Sequence, residues 1–156
     1  MLKVIPKIPP YYLSRLVGWP SKLPLNLTLS LGFRCNSRCK TCNIYHRDAD
    51  ELSLEEWKRV FKSLGKSLFW VTISGGEPFL RPDMFEIVCT LYDQCSPAII
   101  NIPTNGILHE QIPKVIEKIA SYCRTSRIVS NISIDDIGEK HDEIRGVQGN
   151  FQKALK

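Results

Sequence analysis

The chain has 156 residues, 43% of them hydrophobic and 24% charged, with a net charge of +5; this excludes a disordered tail and suffices for one globular domain with its own core. No apolar run approaches the ~18 residues of a spanning helix, and Pro6, Pro9 and Pro10 break up the N-terminus, against a signal peptide as well. The expected location is the cytoplasm, with no membrane partner. The charge is uneven: residues 1–47 carry eight Lys or Arg and no acid, which leaves 13 cations against 16 carboxylates, or −3, in the remainder.

Residues 1–24 hold five prolines and form a basic N-terminal arm, with YYLSRLVGW as one short helix. From residue 25 to 156 a single core domain follows. Its elements alternate: a strand over 25–31, a helix over 53–65, a strand over 68–74, a helix over 82–95, a strand over 98–103, a helix over 112–122 and a strand over 127–134. Strands alternating with helices of this length predict βα units on a parallel sheet with right-handed crossovers.

Local signals fix the helices. Ser53 with Glu56 makes a capping box, Leu52 and Trp57 its staple, and Gly65 the stop. Pro82 and Pro113 suit first-turn positions. The expected buried stripes are Leu54, Trp57, Phe61 and Leu64, then Phe85, Val88 and Tyr92, then Ile112, Ile116 and Ile119. Asn150 is placed to cap a further helix.

Strand parity sets polar residues on one face of every strand: Asn26, Thr28 and Ser30, then Thr72 and Ser74, then Asn101 and Asn105, then Asn131, Ser133 and Asp135. A sheet covered on both sides reads apolar on both, so these positions predict a curved sheet whose polar side lines a ligand cavity; hydrogen-bonded core residues are the alternative. The loops that follow the strands hold the unusual residue clusters, where barrels of parallel strands build active sites.

The first of these loops, FRCNSRCKTCNIYH, holds Cys35, Cys39 and Cys42 in Cys-x3-Cys-x2-Cys spacing. Three thiolates without a fourth leave one coordination position open for substrate or cofactor. Arg34, Arg38, Lys40 and Arg47 flank the cysteines, where they would lower thiol pKa values and offset an anionic centre; a solvated loop is the other reading. Cys89, Cys95 and Cys123 stand in apolar surroundings, as reduced core residues do. The second loop is Gly75-Gly76-Glu77-Pro78. Its glycines let backbone approach a ligand, and Glu77 offers an anionic acceptor suited to an ammonium group. Neither a dinucleotide nor a P-loop spacing is present.

CxxxCxxC after the first strand with GGEP after the second resembles the radical S-adenosylmethionine (radical SAM) superfamily, over roughly residues 25–150. Thr104-Asn105-Gly106, the SIDD stretch at Ser133 and Asp135, and HDEIRG with His141 and Arg145 resemble most the molybdenum-cofactor-synthase and peptide- or protein-maturase branches. Thr41 stands where the family often has an aromatic. The resemblance implies a partial TIM barrel in which Cys35, Cys39 and Cys42 hold a 4Fe–4S cluster whose open iron takes the amino and carboxylate groups of SAM. It implies that Gly75, Gly76, Glu77 and Pro78 contact the methionyl ammonium, and that Asn105, Ser133 and Asp135 belong to the cofactor site, with Ser133 near the ribose. The implied chemistry is reductive cleavage of SAM to a 5′-deoxyadenosyl radical that abstracts hydrogen from a substrate, peptide or small molecule, with flavodoxin or ferredoxin as electron donor.

Two other readings stay open. With His46 the cysteines read as a Cys3His zinc site. A complete eight-unit barrel takes about 250 residues, so four units, the fourth unfinished, read as the N-terminal portion of such an enzyme or as an inactive or accessory fragment. No basic stripe interleaved with aromatics accompanies the charge, so nothing asks for nucleic acid.

Overall fold

A computed structural model describes residues 5–18, 22–48 and 50–156. Residues 1–4, 19–21 and 49, which include part of the expected N-terminal arm, lie outside the described residues.

Four strands, Asn26–Ser30 (β1), Trp70–Ser74 (β2), Ile99–Thr104 (β3) and Arg127–Ile132 (β4), form one parallel sheet in the order β1-β2-β3-β4. Between them run Leu54–Leu64 (α2), Met84–Cys95 (α3) and Ile112–Tyr122 (α4); Ile8–Val17 (α1) precedes the sheet, and Glu139–Arg145 (α5) and Asn150–Ala154 (α6) follow it. The expected alternation and parallel sheet are borne out.

Register makes the two faces unlike. On one, Leu29, Val71, Ile73, Ile100 and Ile102 meet Trp57 and Phe61 of α2, Ile87 and Leu91 of α3, and Ile119 of α4 in one buried cluster. Each fully buried side chain of this size stabilises by roughly 1.5–3 kcal/mol. On the other face Thr28 pairs with Thr72 and Thr72 with Asn101. There the Trp70 indole N–H donates to Thr72 Oγ1 (3.0 Å), and the amides of Asn101 and Asn131 donate in turn to Thr72 Oγ1 (3.5 Å) and Asn101 Oδ1 (2.7 Å). The polar side is therefore a hydrogen-bonded row, on which Thr28, Ser30 and Asn131 are exposed.

The α2 capping box is complete: Ser53 N–H donates to Glu56 Oε2 (2.8 Å) and Glu56 N–H to Ser53 Oγ (3.3 Å). Gly65 ends that helix at φ 51°. Three expectations change. Pro82 lies before α3, whose cap position is Asp83. The buried stripe of α3 is Met84, Ile87, Val88, Leu91 and Cys95, while Phe85 and Tyr92 flank it and pack edge-on against Tyr122. Asn150 is the first residue of α6 rather than its cap, and its fully buried side chain serves another purpose.

Candidate metal and cofactor site

Beyond β1 the chain keeps pairing with β2. Leu31 N–H donates to Ser74 O, Gly76 N–H to Gly32 O and Glu77 N–H to Arg34 O, all at 2.9–3.0 Å. This extended pairing leaves no room for side chains. A Cβ on Gly76 would stand 2.1 Å from Arg34 O, and one on Gly75, at φ +127°, would stand 2.4 Å from Gly32 O. The glycines expected to admit a ligand thus admit the backbone of the cysteine loop, and the two loops form one body.

Glu77 completes the join. It is 4% exposed, and its carboxylate accepts from Thr104 Oγ1 (2.8 Å), Asn105 N–H (2.8 Å) and Phe79 N–H (3.4 Å). Burial pushes its pKa up and the bonds from Asn105, Thr104 and Phe79 oppose that rise. A carboxylate has about four acceptor positions, so one remains for a ligand.

Asn105 is buried as well and turns toward the cysteines. Its Nδ2 donates to Asn36 Oδ1 (2.7 Å) and Ser37 Oγ (3.0 Å), at 4.0 Å from Cys35 Sγ. Ser37 N–H also donates to that sulfur (3.4 Å). Behind it, Asn150 Nδ2 donates to Asn105 O (2.9 Å), and the Oδ1 of Asn150 faces Nε2 of the fully buried His141 at 3.3 Å. His141 Nδ1 accepts from Asp135 N–H (3.2 Å). Asp135 ion-pairs with Arg145 Nε (2.5 Å), and Arg145 Nη1 donates to Cys39 Sγ at 3.7 Å. A chain of polar contacts, buried from Glu77 to His141 and partly exposed at Asp135 and Arg145, therefore runs from Glu77 through α6 and α5 back to the cysteine loop.

These groups surround a cavity of about 230 Å³ lined by Cys35, Cys39, Cys42, Glu77, Ser133 and Arg145, with Gly75, Gly76, Pro78, Asn105 and Asp135 on its wall. The structure thus brings together every residue that the sequence singled out for the cofactor site. Ser133 enters through one more β3–β4 step, its N–H donating to Thr104 O (2.9 Å).

The flanking cations act differently from expectation. Arg34 pairs with Glu51 and Lys40 with Glu143. Arg38 donates to the carbonyls of Cys35 (2.7 Å) and Ser37 (2.9 Å) and lies over the Tyr45 ring. None reaches a sulfur. Burial pushes the Cys35 thiol up in pKa rather than down. The cation at a cysteine is Arg145 of the HDEIRG stretch, distant in sequence from the cysteines. His46 is exposed, packed against Tyr45 and absent from the cavity wall. Among the described residues no three His, Cys, Asp or Glu side chains stand close enough to share one metal ion. Cys89, Cys95 and Cys123 behave as core thiols, pushed up to about 11, 11 and 12 by burial.

Residues 29–156 match the model of the radical SAM superfamily. The chain belongs to that superfamily. It is 34% identical over 137 residues to the mycofactocin maturase MftC of Mycobacterium tuberculosis, covering 85% of this chain and 33% of that protein. It is 34% identical over 129 residues to the Fe-coproporphyrin III synthase of Methanosarcina barkeri (79% and 30%), and 30% identical over 143 to the subtilosin biosynthesis protein AlbA of Bacillus subtilis (86% and 30%). The SAM-bound structure of Streptococcus suis SuiB shares the fold at a TM-score of 0.63 and 22% identity, covering 84% of this chain and 30% of that one. The chain spans about a third of the length of the curated relatives it matches. Its sheet corresponds to part of a radical SAM partial barrel, and the superfamily's cofactors are a 4Fe–4S cluster and SAM. The residues present fit them: three free thiols open onto one cavity, with N–H donors aimed at two sulfurs and a buried carboxylate beside them.

Proposed function

We propose that Cys35, Cys39 and Cys42 ligate a 4Fe–4S cluster, and that the cavity beside them holds SAM for reductive cleavage and hydrogen abstraction. The observation that carries this reading is the convergence of the three thiols and Glu77 on one cavity at the carboxyl ends of β1 and β2. When bound, the cluster supplies the single electron that cleaves the SAM sulfonium to methionine and a hydrogen-abstracting 5′-deoxyadenosyl radical.

The chain's own residues orient and shelter. Glu77 keeps one acceptor position for the methionyl ammonium while its other bonds lock the loop after β2 to the end of β3. Ser133 and Asp135, just beyond β4, line the cavity and would approach the ribose. Asn105 holds the cysteine loop from beneath, so its part in cofactor binding is indirect. The open polar face beyond the cavity, with its row of Thr72, Asn101 and Asn131, suits a substrate rich in amide groups. A precursor peptide fits that description better than an apolar macrocycle, and the structural neighbour SuiB of Streptococcus suis is described bound to its precursor peptide SuiA. The electron donor is a flavodoxin or ferredoxin, drawn by the acid-free stretch of residues 1–47.

After anaerobic reconstitution with iron and sulfide, the protein given dithionite and SAM should yield methionine and 5′-deoxyadenosine, and the Cys35→Ala variant should not. Equal yield from both would refute this reading.

A further inference from the structure

We propose that Arg145 is a positioning residue for the cluster: its guanidinium, held by Asp135, donates to the Cys39 thiolate and raises the reduction potential of the centre. The inference rests on the reading of Cys35, Cys39 and Cys42 as cluster ligands.

Arg145 is fastened at both ends. It closes α5, where the last carbonyls of a helix have no partners within it, and the cysteine loop supplies them: Arg38 N–H donates to Arg145 O and Lys40 N–H to Ile144 O, both at 2.9 Å. The next residue, Gly146, lies so close that a Cβ would stand 2.5 Å from Arg38 O. The end of α5 therefore cannot move without the segment from Arg38 to Lys40, which contains Cys39. At the other end of the side chain, Nε meets Asp135 Oδ2 at 2.5 Å and Nη1 meets Cys39 Sγ at 3.7 Å. The side chain is only 15% exposed, and Asp135 is in turn oriented by its N–H bond to the buried His141.

The chemistry follows from charge. Arginine stays protonated and rigidly planar, so it can pair by charge with Asp135, without a well-aligned hydrogen bond from Nε, while Nη1 donates to a sulfur. Reduction adds negative charge to a thiolate-bound cluster, and donors to the ligand sulfurs favour the more electron-rich state. The donors at Cys35 are neutral, the Ser37 amide and the more distant Asn105 side chain. Cys39 alone receives a hydrogen bond from a charged donor, whose charge Asp135 shares, in a partly buried setting where screening is weak. Lys40 and Arg34, nearer in sequence, are taken up by Glu143 and Glu51.

The test is a redox titration of the reconstituted protein followed by electron paramagnetic resonance in the absence of SAM, on wild type, Arg145→Gln, Arg145→Lys and Asp135→Asn, each checked for iron content. The glutamine variant should titrate at a more negative potential than wild type, so that well under half of it is reduced at the wild-type midpoint. The lysine variant, a mobile point charge, should fall between, and Asp135→Asn, which removes the carboxylate that offsets the guanidinium, should titrate at a less negative potential than wild type. Should Arg145→Gln fail to retain iron, the other two variants carry the comparison, and unchanged midpoints in both would overturn the proposal. So would an unchanged midpoint in an iron-replete Arg145→Gln protein, including one that has lost only affinity for SAM. A wild-type protein that takes up no four-iron centre would instead refute the ligand reading beneath it.

Discussion

Gly76 lies against the carbonyl of Arg34 so closely that a Cβ would stand 2.1 Å from its oxygen. The obstacle is backbone, which cannot swing aside, and the same stretch carries the hydrogen bonds that join the GGEP loop to the cysteine loop. Gly76→Ala should therefore part the two loops. Overpacking of this kind costs about 1–3 kcal/mol, and the variant should lose most of its cluster in an iron assay after reconstitution. Full iron content would show that the contact is dispensable.

Asn105 joins the end of β3 to the cysteine loop with a single amide. Asn105→Ala should destabilise the protein by about 1–3 kcal/mol in urea unfolding, because Asn36, Ser37 and the Ile107 amide lose a buried partner. Asn105→Asp should be worse for iron retention despite its matching shape, since it sets a carboxylate against Asn36 Oδ1 and beside the thiolates. Iron retention in the aspartate variant equal to that of alanine would mean that charge at this position does not matter.

How much of this was legible in the sequence depends on range. The period of two in LNLTLSL, the capping box at Ser53 and the stop at Gly65 are local, and each forms as expected. The two loop motifs identified the site because their spacing is local too. What the sequence could not carry is which distant groups meet. Arg145 reaches Cys39 across 106 positions, and Asn105 reaches Ser37 across 68. No periodicity encodes such contacts: the HDEIRG stretch marks Arg145 as part of the resemblance but not as the partner of Cys39, and the cations near the cysteines, Arg34, Arg38, Lys40 and Arg47, are the ones expected at the thiols. Asn150 misled similarly: it has the composition of a cap, but its burial against His141 and Asn105 dominates.

Glu77 and Asp142 should respond to acid with opposite sign. Burial raises the Glu77 pKa from its ordinary 4.5, so the folded protein holds that proton more tightly than the unfolded chain. The associated stability is complete below 4.5 and lost as pH rises through the folded value. Asp142 is lowered from 3.8, chiefly by the Phe151 N–H that it binds and also by the Gly149 N–H; its contribution is present above 3.8 and lost as pH falls through the folded value. In urea unfolding of the cluster-free protein, Asp142→Asn should flatten the loss of stability on the acid side. Glu77→Gln should flatten the decline on the rising side, at a lower stability throughout. Parallel pH profiles for wild type and both variants would contradict these assignments.

Electron delivery makes a separate prediction. Arg38 holds the carbonyls of Cys35 and Ser37, so reversing it would disturb the loop itself. Arg47 is exposed on the wall of a second cavity, of about 250 Å³, outside the loop, where Cys35 is also accessible. Arg47→Glu should slow cluster reduction by an acidic flavodoxin while leaving reduction by dithionite unchanged, as expected of a rim charge that acts on association rate. Equal slowing with both reductants would rule out a docking role.

The most direct test of the central claim is the metal content of anaerobically reconstituted protein, read with its electron paramagnetic resonance before and after SAM is added. About four irons per chain are expected, lost in the Cys35→Ala, Cys39→Ala and Cys42→Ala variants, with a signal of the reduced cluster that changes when SAM binds. One zinc and no iron, or a four-iron signal indifferent to SAM, would contradict it.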